Sequence, residues 1–410
     1  MTRTTIRSED VTAGQITSAD ITDGTIVNAD INASAAIVQS KLATLAIDTA
    51  ELAADAVTPA KMADSAYLAN RNIIINGNFD VWQRGTSFAA IANAAYSADR
   101  FMYEKTGAMV HTITRDADVP TQAQSGTKSL YSLKVDCTTV DASIAAGDFC
   151  QVLQRIEGYN YSQLEGNTGT LSFWVKATKT GTYCISVRSG GSDRSYVAEY
   201  TVSSSDTWEK KTISITFNYS GGTWGYGTGI GLVLLWSLAA GSNYQGTADQ
   251  WNSAQDFATS NQVNACDNTS NNFFLSQVQL EVSPTATPFK HKSYGQKLAD
   301  CQRYYSKSYN TDVAPATSQA AGACSSLAIY SSGSQSLGAR WVTSMRSAPT
   351  VVIYPAGSTN TGYVTQTSNN AEVAATAADI GMSGFQYLQG SLPTSNANGV
   401  RFHWSADAEL

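Results

Sequence analysis

The chain has 410 residues, of which only 14% are charged, with a net charge of −7. That length allows two or three domains, and the sparse, acidic charge excludes the basic footprint that nucleic-acid binding requires. The longest apolar run, IGLVLLWSLAA at 230–240, is too short to span a bilayer, and MTRTTIRSED lacks the apolar core of a secretory signal. The expectation is a chain that neither inserts into a membrane nor leaves by the usual secretory route.

The first element is a repeat. Val11, Ile16, Ile21, Ile26 and Ile31 fall five apart, and after one inserted residue Ile37, Leu42, Ile47 and Leu52 resume the spacing. Five is not a helical period, and being odd it would flip successive side chains across a plain strand. Short strand pieces with Gly, Asp and Asn corners fit it, each apolar residue pointing at a central axis. One aliphatic side chain contributes about 1.5–3 kcal/mol when buried, whereas ordering five residues costs at least about 5 kcal/mol. The deficit predicts an axis shared by several chains, a homotrimeric shaft over 1–68 with Ile16, Ile21, Ile26, Ile31, Ile37 and Leu42 at its centre. A disordered linker, a single-chain β-helix and, for the alanine-rich part, an amphipathic helix stay open.

After Tyr67 the composition changes. LSFWVKAT (171–178), TYCISVRS (182–189), SYVAEYTV (195–202), KKTISITFNY (210–219), IGLVLLWSL (230–238) and FFLSQVQLEV (273–282) read as strands separated by Gly, Ser, Asn and Asp clusters. With NRNIIINGNF and SLYSLKVDC they make about eight, enough for an antiparallel jelly-roll sandwich over 69–292. SYGQKLADCQRYYSKSY (293–309) reads as a short helix with Leu298, Cys301, Tyr305 and Tyr309 on one face. It leads into a small β domain, so that 293–410 forms a third region. SLAIYS, LGARWVTSM, TVVIYPA and GVRFHWSADAEL supply strands there, and SNNAEVAATAADIGMSGF reads as a loop. The fold class is therefore mainly β.

Chemistry-bearing motifs are scarce. SGTKS (125–129) falls short of a phosphate loop, GTGIGL (227–232) lacks the context of a dinucleotide site, and neither HExxH nor GxSxG occurs. The six cysteines have no CxxC spacing and no histidine nearby in sequence, so metal ligation by them is not expected; buried, reduced thiols are. No catalytic residue, metal or cofactor is predicted. Trp82, Trp174 and Trp208 lie in strand-like contexts and read as core. Trp224 and Tyr226 sit in a glycine-rich loop, and Tyr244 and Trp251 flank a polar one. Aromatic faces stack on sugar rings while amides and carboxylates bond the hydroxyls, making these four candidate glycan contacts. Tyr363 and Tyr387 are the corresponding candidates near the C-terminus. Burial under neighbouring protomers is the alternative.

NRNIIINGNFDVWQRGTSF (70–88) followed by YSADRFMYEKTG (96–107) resembles the opening of the receptor-binding region of bacteriophage tail fibre proteins. VQLEVSPTATPFKHKSYGQKLADCQRYYSK (278–307) is similar to a junction in those fibres, and SMRSAPTVVIY (344–354) to a strand of their C-terminal domain. LSFWVKA also resembles carbohydrate-binding jelly rolls. The resemblance implies a virion structural protein, assembled in the host cytoplasm, that joins a tail or head protein by its N-terminus and binds a host-surface glycan or lipopolysaccharide without turnover. The alternatives it leaves are a polysaccharide depolymerase fibre and a head fibre or capsid decoration protein. A structural calcium is a further implication, with Asn78, Asp80 and Glu281 as nearest ligands, although FFLSQVQLE offers Ser and Gln where an acidic residue would be wanted.

Overall fold

Period-two alternation between turn clusters produces antiparallel strands, and two such sheets bury their apolar faces against each other. The computed structural model describes residues 71–410 other than Tyr219, 328–333, 336–337 and 393–398, together with Ile21, Thr22 and Val27. The chain divides into two units, Met1–Tyr67 and Leu68–Leu410. Of the expected shaft positions, Ile21 is described, at a bend and 43% exposed. Ile16, Ile26, Ile31, Ile37 and Leu42 lie outside the described residues.

The sandwich strands are β1 (Ser87–Phe88), β2 (Ala95–Tyr96), β3 (Phe101–Lys105), β4 (Val110–Asp116), β5 (Ser132–Thr139), β6 (Phe149–Glu157), β7 (Thr168–Ala177), β8 (Gly181–Ser189), β9 (Ser195–Val202), β10 (Glu209–Thr216), β11 (Ile230–Ala240), β12 (Trp251–Asn252) and β13 (Asn272–Val282). Helices α1 (Gln122–Ser125) and α2 (Gly158–Tyr161) are single turns between them. Among the described residues one sheet has the order β1-β4-β5-β13-β7-β10 and the other β12-β9-β8-β11-β6-β3-β2. Phe101, Phe173, Tyr200 and Trp236 fill the space between, with Phe173 edge-on to both Tyr200 and Trp236. β11 is buried on both faces, because Phe257 and Ala258 close a second small core with Leu153, Val233 and Leu235 on the outer side of its sheet. A strand covered twice needs an unbroken apolar run, which accounts for IGLVLLWSLAA. Among the described residues no helix is long and apolar enough to cross a membrane.

NRNIIINGNF is not a strand. Its asparagines act as surrogate peptide groups. Asn72 donates to the Val278 carbonyl and accepts from the amides of Ile74 and Leu280. Asn76, at φ 60°, donates to the carbonyls of Val81 and Asp99 and accepts from the Val81 amide. Amide side chains thus meet the hydrogen-bonding demand that a ladder would otherwise meet.

The C-terminal part comprises α3 (Tyr294–Gln302), β14 (Tyr305–Lys307), β15 (Cys324–Leu327), β16 (Ser334–Gln335), β17 (Ala339–Arg340), β18 (Thr350–Pro355), β19 (Tyr363–Gln366), β20 (Glu372–Gly381), β21 (Gly384–Gly390) and β22 (Gly399–Asp407). Two expectations change here. The helix stops at Gln302, and Tyr305 belongs to β14, paired with Asp407 of β22 rather than sharing a helical face with Cys301. The alanine-rich "loop" is β20, a full strand between β19 and β21. Its low intrinsic preference is overridden by pairing on both edges. Ile353, Val364, Phe385, Val400 and Phe402 form the core of this part.

Residues 69–292 and 293–410, read from the sequence as separate regions, belong to one unit and meet in a charged joint. The Arg84 guanidinium lies 3.7 Å over the Tyr305 ring and 3.0 Å from Asp407. Arg100 lies 3.6 Å over Tyr304, is 1% exposed on its side chain, and pairs with Glu409. Glu157 accepts from Arg303 Nε at 2.9 Å and from the Tyr304 hydroxyl at 2.6 Å. Gln83 donates to the Tyr305 carbonyl, and Lys307 donates back to the Gln83 carbonyl. The segments containing VWQRG, ADR and CQRYY, far apart in sequence, are therefore faces of one contact.

Candidate functional site

The loop between β10 and β11 carries Trp224 and Tyr226. Gly221, Gly222 and Gly227 take positive φ there, a conformation that other residues adopt only under strain. Asp193 fastens the loop from the β8–β9 turn. Its carboxylate accepts from the Thr223 amide at 2.8 Å and from the hydroxyls of Thr223 and Ser189 at 2.7 Å each. Those bonds, Thr223 first, hold its pKa down to about 2. A carboxylate engaged in this way is a fastener rather than a proton donor.

On this frame the aromatics assemble. Trp224 stacks on Tyr161 at 5.9 Å with 18° between planes, and meets Trp251 edge-on at 5.8 Å. Trp251 also packs edge-on to Tyr196 and Phe217, has Arg194 5.7 Å above its ring, and donates to the Thr216 carbonyl. Tyr161 is buried beneath Trp224 and Tyr226, and a Cβ on Gly231 would come within 2.0 Å of its ring. Tyr226 is 56% exposed, and its hydroxyl donates to Glu165 at 3.2 Å. Tyr159 on α2, 69% exposed, has its amide bonded to the Gly227 carbonyl. The result is a platform: a buried tyrosine, two half-buried tryptophans, then two exposed tyrosines, of which Tyr226 lies beside Glu165. The turn at 158–164 also borders a cleft of about 210 Å³, whose polar lining includes Asn160, Gln163, Gln296 and Lys292 paired with Asp300.

Of the sequence candidates, the structure brings Trp224, Tyr226 and Trp251 together and leaves three elsewhere. Tyr244 stacks on Phe257 at 4.6 Å and meets Phe149 edge-on, closing the outer core of the seven-stranded sheet. Tyr363 is 39% exposed on β19 opposite Ala374, while Tyr387 is half-buried on β21 opposite Ala378. Sequence reading missed Tyr159, although the GYNY turn in which it lies is a visible cue. Trp82 and Trp174 are buried as expected, whereas Trp208 is half-exposed and donates to Asp118.

The calcium implied by the resemblance does not suit the residues present. Glu281 is fully buried 3.0 Å from the Arg71 guanidinium and accepts from the Thr287 hydroxyl and from the Thr287 amide. Asp80 pairs with Lys297 at 2.5 Å, and Asn78 is bonded to Asp80 and Ser129. The positive charge that a divalent ion would bring to these carboxylates is already supplied by Arg71 and Lys297.

None of the six cysteines is in a disulfide, and all but the partly exposed Cys324 are buried. The absence of any local Cys–His spacing proves a poor guide to space. His111, Cys150 and Cys266 place their donor atoms within 4.8 Å of one another.

No protein-family model and no curated protein matches the sequence. Among solved structures, the enzymatically active domain of tailspike protein 4 from bacteriophage CBA120 is similar over 48% of this chain, at 12% identity and a TM-score of 0.26. This chain spans about a fifth of that protein, 21% of its length. A CBM4 module aligns with 51% of this chain and 98% of its own, at 12% identity and a TM-score of 0.27. The family 11 carbohydrate-binding module of the cellulosomal cellulase Lic26A-Cel5E of Clostridium thermocellum aligns with 49% of this chain and 98% of its own, at 9% identity and a TM-score of 0.28.

Proposed function

We propose that the chain is a virion fibre protein that holds a host-surface glycan on the platform of Tyr159, Tyr226 and Trp224, and that it does so without turnover. The observation that carries this reading is the aromatic cluster in which Trp224 and the exposed Tyr226 both pack on buried Tyr161, with exposed Tyr159 bonded to the same loop. Rigid, partly wet rings next to a carboxylate suit a sugar, whose C–H face stacks while its hydroxyls bond Glu165 and the amides of Asn160 and Gln163. The sparse surface charge suits a neutral or weakly charged ligand. Weak single sites would combine through several copies on one fibre, which is the role proposed for the repeat at 1–68 and its partner on the particle.

The test is binding of the full chain to extracted host polysaccharide or lipopolysaccharide. Tyr226→Ala and Tyr159→Ala should each weaken it roughly three- to tenfold, in line with the worth of one aromatic contact. Unchanged binding in the double variant would remove the platform as the site. Release of reducing sugar by the purified protein would replace adhesion with depolymerisation.

A further inference from the structure

The sandwich core holds a set of soft donors near one end of its strands. His111 of β4 stands directly opposite Cys137 of β5, Cys150 comes from β6, and Cys266 from the loop before β13. His111 is 2% exposed and Cys150 and Cys266 are fully buried. The His111 Nδ1 atom lies 3.8 Å from Cys150 Sγ and 2.6 Å from the Tyr103 hydroxyl, which is itself 3.5 Å from Cys150 Sγ. Around a tetrahedral zinc ion the sulfur ligands stand about 3.8 Å apart, and a sulfur and a nitrogen about 3.5 Å. The donor atoms of His111, Cys150 and Cys266, all within 4.8 Å of one another, are thus spaced close to a ligand shell.

We propose that His111, Cys150 and Cys266 bind a structural zinc ion: His111 Nδ1 exchanges its hydrogen bond with Tyr103 for the metal, and the freed Tyr103 hydroxyl donates to the Cys150 thiolate beside it. Charge supports zinc in this place. Two thiolates neutralise a divalent cation, so the loaded cluster is neutral in an apolar core, where a net charge would be costly. Binding releases two protons, one from each thiol, and leaves the imidazole neutral. Thiolate and imidazole favour zinc over the hard cations calcium and magnesium. Bound there, the ion would tie β4 and β6 to the loop before β13, and so cross-link the two sheets.

The experiment uses the full chain, made in minimal medium supplemented with zinc or with cobalt. Zinc-grown protein should carry close to one equivalent of the metal after exhaustive dialysis. Cobalt-grown protein should show thiolate-to-cobalt charge-transfer absorption and the visible bands of a tetrahedral ion. Cys150→Ser and Cys266→Ser should abolish those bands, while Cys324→Ser, a thiol outside the cluster, should keep them. The wild-type metal content and spectrum need no variant, so misfolding of a thiol variant leaves the test intact. Well-folded wild type containing under about a tenth of an equivalent would overturn the proposal and leave a metal-free hydrogen-bonded cluster. A Cys150–Cys266 disulfide in the mass spectrum would overturn it equally.

Discussion

Two regions of the molecule are built from tyrosine with opposite results. At the joint, Tyr304 and Tyr305 each carry an arginine over the ring, and the Tyr304 hydroxyl is bonded to Glu157. On the platform, Trp224 and Tyr226 both pack on Tyr161, and the outermost ring remains in water. At the joint a cation caps each ring and locks it in place, whereas Tyr226 has an aromatic backing and an open outer face. The sequence around each region differs in the same sense: arginines with acidic partners around 84, 100 and 303, glycines around 221–231.

The largest break in this comparison is at the joint. Arg100→Met removes one of the two arginines paired with Glu409 and the cap on Tyr304, and should cost about 3 kcal/mol, the low end for loss of one member of a buried pair because Arg84 still faces Glu409. Urea unfolding of the full chain measures it, and a cost below about 1 kcal/mol would show the joint to be ornamental. The platform has its own weak point at Gly231, where a methyl group must displace the Tyr161 ring. Gly231→Ala should cost about 1–3 kcal/mol and shift tryptophan fluorescence through Trp224, leaving the joint intact.

A smaller effect separates the regions by pH. Burial pushes the Glu157 carboxyl upward, but hydrogen bonds from Arg303 and Tyr304, with the charges of Arg303 and Arg346, outweigh it and hold the group below its ordinary range. A carboxyl depressed in the folded state adds stability above its unfolded pKa and loses it as pH falls through the folded value. Thermal melts between about pH 5 and pH 3 should therefore fall less steeply for Glu157→Gln than for the wild type. Equal slopes would mean that Glu157 is not a source of acid lability. The smallest effect is the sharpest contrast: Tyr226→Ala should move stability by less than about 0.5 kcal/mol, because its ring is surface.

The mainly β fold was legible because period two, turn clusters and the doubly buried β11 all leave plain marks in the sequence. SYVAEYTV coincides with β9 from Ser195 to Val202. What escaped reading was set by tertiary context. Asn72 and Asn76 look like a strand's polar neighbours, yet their amides replace the ladder. The alanines of β20 carry no strand signal until β19 and β21 flank them. The platform was half legible. A glycine-rich loop with Trp224 and Tyr226 announces itself, but nothing local says that Tyr244 has Phe257 to stack on while Tyr226 faces water. The thiol–imidazole cluster was illegible, since 39 residues separate His111 from Cys150 and only the sandwich brings them together.

The pairing of β22 bears on how the molecule is made. That one strand is hydrogen-bonded to β14, β15, β18 and β19, and its Asp407 faces Tyr305 across about a hundred residues of chain. A nascent chain emerging from the ribosome can complete the sandwich once β13 is out, because β13 fills the middle of the six-stranded sheet. The C-terminal sheet has no such opportunity. β14, β15 and β18 wait with open edges until residues 399–407 appear, and during that interval Arg84 and Arg100 lack their acidic partners. Slow, non-local closure of this kind leaves strand edges exposed to other nascent copies. Synthesis stalled between residues 307 and 399 should therefore leave a folded sandwich with a sticky tail, and chaperone demand should peak there rather than at the core.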